Sequence, residues 1–296
     1  MPAIGFIGLG NMGGAMAANL VKAGEHVLGF DVVPASCEAS ARDGVQIVAN
    51  ARGTVENADI VISMLPAGEH VLSVWNDVVP LARQGMLFID CSTIDVASAR
   101  KAHALAASRG IATLDAPVSG GVGGAKAATL TFMVGGSAHA FARGKPVLER
   151  MGKRVVHCGE AGNGQVAKIC NNMILGVSMI AVSEAFVLGE KLGLSHQALF
   201  DVASASSGQC WSLTSYCPVP GPVPASPANN EYRPGFAAAL MLKDLKLARA
   251  AADSVKARTA LGAQAAQIYE DFAQQGHSGA DFSAIIRLVR EQSKAD

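Results

Sequence analysis

Charge is scarce in this 296-residue chain: Asp, Glu, Lys and Arg make up 16% of it, where roughly 25% is usual for a soluble protein. So little charge implies much buried surface, a subunit interface included. The 24 basic and 24 acidic residues cancel. With no basic run, the chain offers no electrostatic footprint for nucleic acid or an anionic membrane. Small molecules and copies of the same chain are the expected partners. Cysteine is sparse and scattered, at Cys37, Cys91, Cys158, Cys170, Cys210 and Cys217, with no CxxC pair and no zinc-type histidine spacing. Reduced thiols and no metal are therefore expected, which argues against zinc-dependent alcohol oxidation. Long apolar runs are lacking too. The longest, MILGVSMIAVS from Met173, is stopped by Glu184, short of the ~20 residues of a membrane span. The first strand pattern follows Met1 at once, so no leader is expected and the expected location is cytoplasmic.

What the chain does contain is alternation. AIGFIG, HVLGF, DIVISML, MLFIDC and IATLDA are short apolar runs interleaved with amphipathic stretches, the mark of βαβ units and a parallel sheet covered on both faces. After Gly162 the texture changes. Gln165 to Leu192 reads as one long helix, and the segments around Leu199, Leu240–Asp253, Thr259–Gln275 and Ser283–Lys294 also carry helical periodicity. The expected fold is α/β: a Rossmann-type doubly wound domain over 1–162, a connecting helix over 163–192 and an all-helical domain over 193–296. The proline-rich CPVPGPVPASPANNEYRPG, 217–235, is expected to be irregular, either a lid or a plain surface loop. The apolar long helix is too hydrophobic for one small domain to cover, so a homodimer or homotetramer is expected.

IGFIGLGNMGGAMAANLVKAG holds G-x-G-x-x-G at Gly8, Gly10 and Gly13, between a strand and a helix pattern. In that context the first glycine permits the tight turn, the second lets the backbone approach a pyrophosphate, and the third lets helix and strand pack. The amides of Asn11 and Met12, at the helix N-terminus, would face the phosphates. Asp31 follows the third glycine by 31 − 13 = 18 residues. Its carboxylate suits ribose hydroxyls and repels a 2′-phosphate, and no arginine stands in VVPAS to bind one. The expected cofactor is NAD.

Further on, GNGQVAKICNN places Lys168 and Asn172 at i and i+4, on one helix face. Taken alone, such a lysine usually covers apolar surface with its stem and keeps its head in water. DAPVSGGVGGAKAATL ends a strand in a Ser-Gly-Gly turn that opens a helix, so Ser119, Gly120 and Gly121 form a nest suited to a carboxylate. In GFAAALMLKDLKLA, Lys243 and Asp244 are expected to begin a helix after the proline-rich loop.

Taken together and in this order, GFIGLGNMGGAMAANLVKAG, DAPVSGG, GNGQVAKICNN and KDLKLA resemble the β-hydroxyacid dehydrogenase family over essentially the whole length. ISMLPAGEHV, IDCSTID, SSGQCWSL and CPVPG are similar to its isobutyrate branch. The resemblance implies NAD-dependent oxidation of 3-hydroxyisobutyrate to methylmalonate semialdehyde, a step of valine breakdown. It implies Lys168 as the catalytic base, Asn172 orienting substrate, and Ser119, Gly120 and Gly121 holding the carboxylate of the small hydroxy acid. It also implies Leu65, Pro66 and, less directly, His70 along the cofactor, Thr93 against it near the nicotinamide, with Lys243 reaching it and Asp244 beside substrate. Trp211 and Phe236 would line or close the pocket. Burial of Lys168 beside another cation would lower its pKa, so activity is expected to rise toward alkaline pH. The alternatives are a reductase of tartronate semialdehyde, glyoxylate or succinate semialdehyde, and a cofactor-binding scaffold without turnover.

Overall fold

The computed structural model describes residues 3–294 and divides into two compact units, 1–168 and 169–296. In the first, nine strands form one sheet: β1 Ala3–Ile7, β2 His26–Phe30, β3 Gln46–Ile47, β4 Ala58–Ser63, β5 Leu87–Asp90, β6 Ala112–Asp115, β7 Val118–Ser119, β8 Leu130–Gly135 and β9 Gly152–Gly159. Their order is β3-β2-β1-β4-β5-β6-β8-β7, with β9 on β8. The first six pair in parallel, as the alternation predicts; β8 then runs antiparallel to β6 and β7 and parallel to β9. Strands β3, β7, β8 and β9 were not legible as separate runs. Two of them are only two residues long, and β9 is half exposed with no clean alternation.

Helices α1 Gly13–Lys22, α2 Pro34–Arg42, α3 Gly68–Val78, α4 Val96–Ala107, α5 Gly121–Lys126 and α6 Ala138–Leu148 connect them. One core packs Phe6, Met16, Leu20, Ile62 and Phe132. A second packs Ile7, Val61, Trp75, Phe88 and Ile94. Together they cover the two faces that a parallel sheet must bury.

Helix α7, Asn163–Lys191, is a single 29-residue element running from one unit into the other. By length and composition it could span a membrane, against the expectation that Glu184 cuts the run short; half of its most apolar window is buried within the fold. It is the one such helix among the described residues.

The second unit continues with α8 His196–Ser204, α9 Trp211–Thr214, α10 Ala238–Ser254, α11 Ala260–Phe272 and α12 Ile286–Gln292. Its core gathers Met179, Phe186, Leu213, Met241, Tyr269 and Phe282. α10 starts at Ala238 rather than at Lys243, because AALML is itself good helix-forming sequence. The proline-rich segment is built in rather than loose. It contains a 3-10 turn, Pro227–Asn230, that its proline content had argued against. Cys217, Val219 and Tyr232 are buried. The Ser226 hydroxyl donates to the Cys217 carbonyl at 2.6 Å and the Tyr232 hydroxyl to the Pro218 carbonyl at 2.8 Å. Asp281, fully buried, anchors its far end by accepting from Tyr216 Oη and from the Gly235 and Phe236 amides. Proline removes ladder donors, so such a loop is held by side chains instead.

Candidate active site

The strand order reverses between β1 and β4, and a crevice at the carboxyl ends of the strands on either side of such a reversal is where this architecture takes ligands. The loops expected to bind cofactor leave the sheet there. Gly8 follows β1 with φ +96°, and a Cβ on it would meet the Met64 carbonyl at 2.2 Å. Gly13 cannot carry a side chain either, since its Cβ would fall 1.9 Å from the Gly8 carbonyl. Gly10 is different: nothing lies within 4 Å of an added Cβ. That open space above an exposed backbone fits a pyrophosphate cradle, with Asn11 exposed and Met12 as the N-cap of α1. Asp31, directly after β2, accepts from the Leu9 amide at 2.6 Å and the Val33 amide at 2.8 Å. Its carboxylate is thereby fixed at the edge of the glycine loop, and no Lys or Arg occurs from 32 to 41. These residues fit a bound NAD.

Leu65 and Pro66 follow β4 and Thr93 follows β5, so both segments end on the same edge of the sheet as Gly8. Leu65 N–H donates to Ser92 Oγ at 2.8 Å. His70 sits exposed in the first turn of α3, 4.0 Å from Glu69. Ser119 pairs with Thr131 in a two-residue strand. Gly120 and Gly121 take φ of +132° and +60°, in the region that favours glycine. The helix they open, α5, is only six residues long, so the macrodipole expected to aid the nest is weak and the glycine backbone carries the argument.

Lys168 lies in the second turn of α7 and is 6% exposed. The start of that helix is held by Asp115 at the end of β6. Asp115 Oδ1 accepts from the Gly162 amide at 2.8 Å, and Oδ2 from the Gln165 amide at 3.0 Å. His103 Nε2 lies 2.9 Å from the same carboxylate, and its Nδ1 lies 2.5 Å from Thr113 Oγ1. Gly164 makes the approach possible, because a Cβ there would meet the Met133 carbonyl at 2.3 Å.

In the second unit, Asn172 Nδ2 donates to Asp244 Oδ2 at 2.5 Å, and Lys243 Nζ lies 4.0 Å from Asp244 Oδ1. Asp244 is thus buried and engaged with Asn172. Trp211, half exposed, stacks on Tyr216, which stacks on Phe282; Phe236 meets Phe282 edge-on. Among the described residues no group of three or more His, Cys, Asp or Glu could hold a metal, and all six cysteines are free.

Two family models match the chain: the NAD-binding domain of 6-phosphogluconate dehydrogenase over residues 3–159, and the NAD-binding region of NADP-dependent 3-hydroxyisobutyrate dehydrogenase over 162–289. A 3-hydroxyisobutyrate dehydrogenase of Pseudomonas aeruginosa is 51% identical, with 98% of this chain and 99% of that one covered. The chain belongs to the 3-hydroxyisobutyrate dehydrogenase family. An NAD-dependent L-serine dehydrogenase of Pseudomonas aeruginosa is 45% identical over 97% of this chain and 98% of that one. A solved structure of Mycobacterium tuberculosis 3-hydroxyisobutyrate dehydrogenase with L-serine matches at TM-score 0.96 and 55% identity, covering 98% and 99% of the two chains. The family resemblance read from the four motifs is therefore correct, and so is the Rossmann-type first domain.

Sequence reasoning passed over the residues beneath the 3-hydroxyisobutyrate dehydrogenase family motifs. Asp90 and Ser92 lie inside IDCSTID and Asp115 heads DAPVSGG, yet none was singled out. A run ending in Asp at a strand's carboxyl end was the available signal. Asp90 Oδ1 accepts from Ser63 Oγ at 2.7 Å and Ser92 Oγ at 2.6 Å, and Trp75 Nε1 donates to Ser63 Oγ at 3.1 Å. Its Oδ2 is buried with no partner. Burial pushes the carboxyl up to about 6, opposed by the serine hydrogen bonds and reinforced by Asp115.

A carboxyl raised on folding binds its proton more tightly in the native state, so its stabilising effect is complete below the usual carboxylate range and lost as pH rises toward 6. The loss amounts to about 2 kcal/mol between pH 4 and 7. Denaturant unfolding of wild type and Asp90→Asn at pH 5 and 7.5 should show wild type losing more stability than the variant across that interval. An equal loss would mean that Asp90 is ionised throughout.

Proposed function

We propose that this protein oxidises the primary hydroxyl of 3-hydroxyisobutyrate to methylmalonate semialdehyde with NAD, a reaction of valine breakdown. One observation carries the mechanism: a lysine only 6% exposed, on a helix whose N-terminus is tied to the strand leading into the Ser-Gly-Gly turn. Ser119, Gly120 and Gly121 bind the substrate carboxylate and fix the distance to its hydroxyl end. Lys168 accepts the hydroxyl proton as the C–H bond breaks, and returns it in the reverse direction. Gly8, Gly10, Asn11, Met12, Gly13, Asp31, Leu65, Pro66, Thr93 and Lys243, with His70 at the margin of the loop, would hold NAD, which when bound would supply the hydride acceptor. Asn172 orients the substrate, and Asp244 holds the amide of Asn172. Trp211 and Phe236 exclude water from the apolar side of the substrate.

The fixed Asp31 carboxylate favours NAD over NADP, whose 2′-phosphate it would repel. A second substrate is suggested by the L-serine dehydrogenase relative, since L-serine is also a 3-hydroxy acid and differs at C2. For the assembly we propose a homodimer or homotetramer packed through the second unit, where α7 leaves Ile174 65% and Leu188 60% exposed. Six free thiols suit the reducing cytoplasm, where we place the enzyme.

NADH formation at 340 nm, with NAD or NADP and 3-hydroxyisobutyrate enantiomers, L-serine, 4-hydroxybutyrate or glycerate, should favour 3-hydroxyisobutyrate with NAD. A higher kcat/KM for L-serine would move the assignment to the serine branch with the same lysine chemistry. Oxidation should rise toward alkaline pH, and Lys168→Ala should lose that limb together with about 10²–10⁴-fold in kcat. A variant retaining both would remove Lys168 from the proton transfer. Light scattering should give a mass of two or four chains, and a monomer mass would sink the assembly.

A further inference from the structure

Gln165 is fully buried in the first turn of α7, three residues before Lys168. Its side-chain amide uses both ends on backbone groups more than seventy residues away. Nε2 donates to the Ser92 carbonyl at 2.8 Å, and Oε1 accepts from the Ile94 amide at 3.1 Å. These two groups flank Thr93. Its own main-chain N–H donates to Asp115, so one residue ties the helix start to β6 and straps the segment that follows β5. A buried amide is costly unless both its ends are paired. Filling the same space with an apolar side chain would leave a carbonyl and an N–H unpaired on either side of Thr93. Ser92 is held from its other side by Asp90, so the backbone around Thr93 is fixed between two buried groups.

We propose that Gln165 is a positioning residue for the reaction: it sets Thr93 against the nicotinamide end of the cofactor in register with the helix that carries Lys168. Gln165 touches neither reactant. Its role rests on the dehydrogenase reading above, and Gln165 and Lys168, at i and i+3, project from the same side of α7. A shift of either element moves one reacting partner relative to the other, and misplacement on the order of 1 Å costs about 10²-fold in rate.

The test uses Gln165→Met, which keeps the volume and loses both bonds, and Gln165→Glu, which keeps the acceptor for the Ile94 amide and loses the donor to Ser92. NADH affinity by fluorescence titration, kcat, both KM values, Tm and hydrogen exchange at the Ile94 amide are compared with wild type. For Gln165→Met the expected result is an NADH Kd raised about tenfold and kcat lowered about 10²-fold, with KM for the hydroxy acid within about threefold. Exchange at Ile94 should be faster, and Gln165→Glu should fall between. A role confined to folding would lower Tm but leave kcat and NADH affinity of the folded variant within about twofold of wild type, and that outcome overturns the proposal. If Gln165→Met does not fold, Gln165→Glu decides by the same criterion. If wild type binds NADH but turns over no hydroxy acid, the dehydrogenase reading falls. NADH affinity and Ile94 exchange in the variants then still decide whether Gln165 positions the cofactor segment.

Discussion

The first unit depends on one carboxylate. Asp115, almost wholly buried at the end of β6, takes hydrogen bonds from the Gly162 and Gln165 amides and faces the His103 ring. A helix N-terminus presents donors without intrahelical partners and a partial positive charge, so an acidic side chain there satisfies both at once. With that end fixed to the sheet, every residue in the first two turns of α7 has a defined place. Lys168 acquires its buried position in this way, although it makes no part of the sheet itself.

Glycine does the complementary work. At Gly8, Gly13 and Gly164 a methyl group would collide with backbone carbonyls at 2.2, 1.9 and 2.3 Å. Those positions exist to let chain segments touch. At Gly10 a methyl group would meet nothing, which leaves the loop backbone open where we propose the pyrophosphate lies. The same residue type thus stands in tight packing and in open space within one loop, and only the surroundings separate the two. Buried acids complete the frame: Asp90 gathers Ser63 and Ser92 onto one oxygen, joining the ends of β4 and β5, while its second oxygen stays unpaired and its proton is held more tightly. A frame of this kind gives up some stability at neutral pH in return for fixed loops.

The glycine loop, Asp31 and the Lys168 helix were legible because each is local: a spacing, a strand end, a helical period. Lys243 was placed at a helix start after the proline-rich loop, while the real start at Ala238 follows from ordinary helix-forming residues. The proline-rich segment was read as irregular because proline forbids ladder bonds. Its order comes instead from Ser226, Tyr232 and Asp281, each bonding to backbone or side chains at positions that no local pattern ties to them. Gln165 was invisible for the same reason, since its partners Ser92 and Ile94 lie 73 and 71 residues away.

By itself the sequence determined the alternating architecture, the phosphate turn, the acidic residue after β2 and the family, since periodicity and short motifs are properties of neighbouring residues. The tertiary structure alone decided which acids became buried hubs. It also decided which glycines face backbone and which face open space, and how a lysine in an apolar run comes to be enclosed. Those outcomes turn on contacts between residues far apart in the chain, where burial and hydrogen bonding are set only once the sheet and α7 have been brought together.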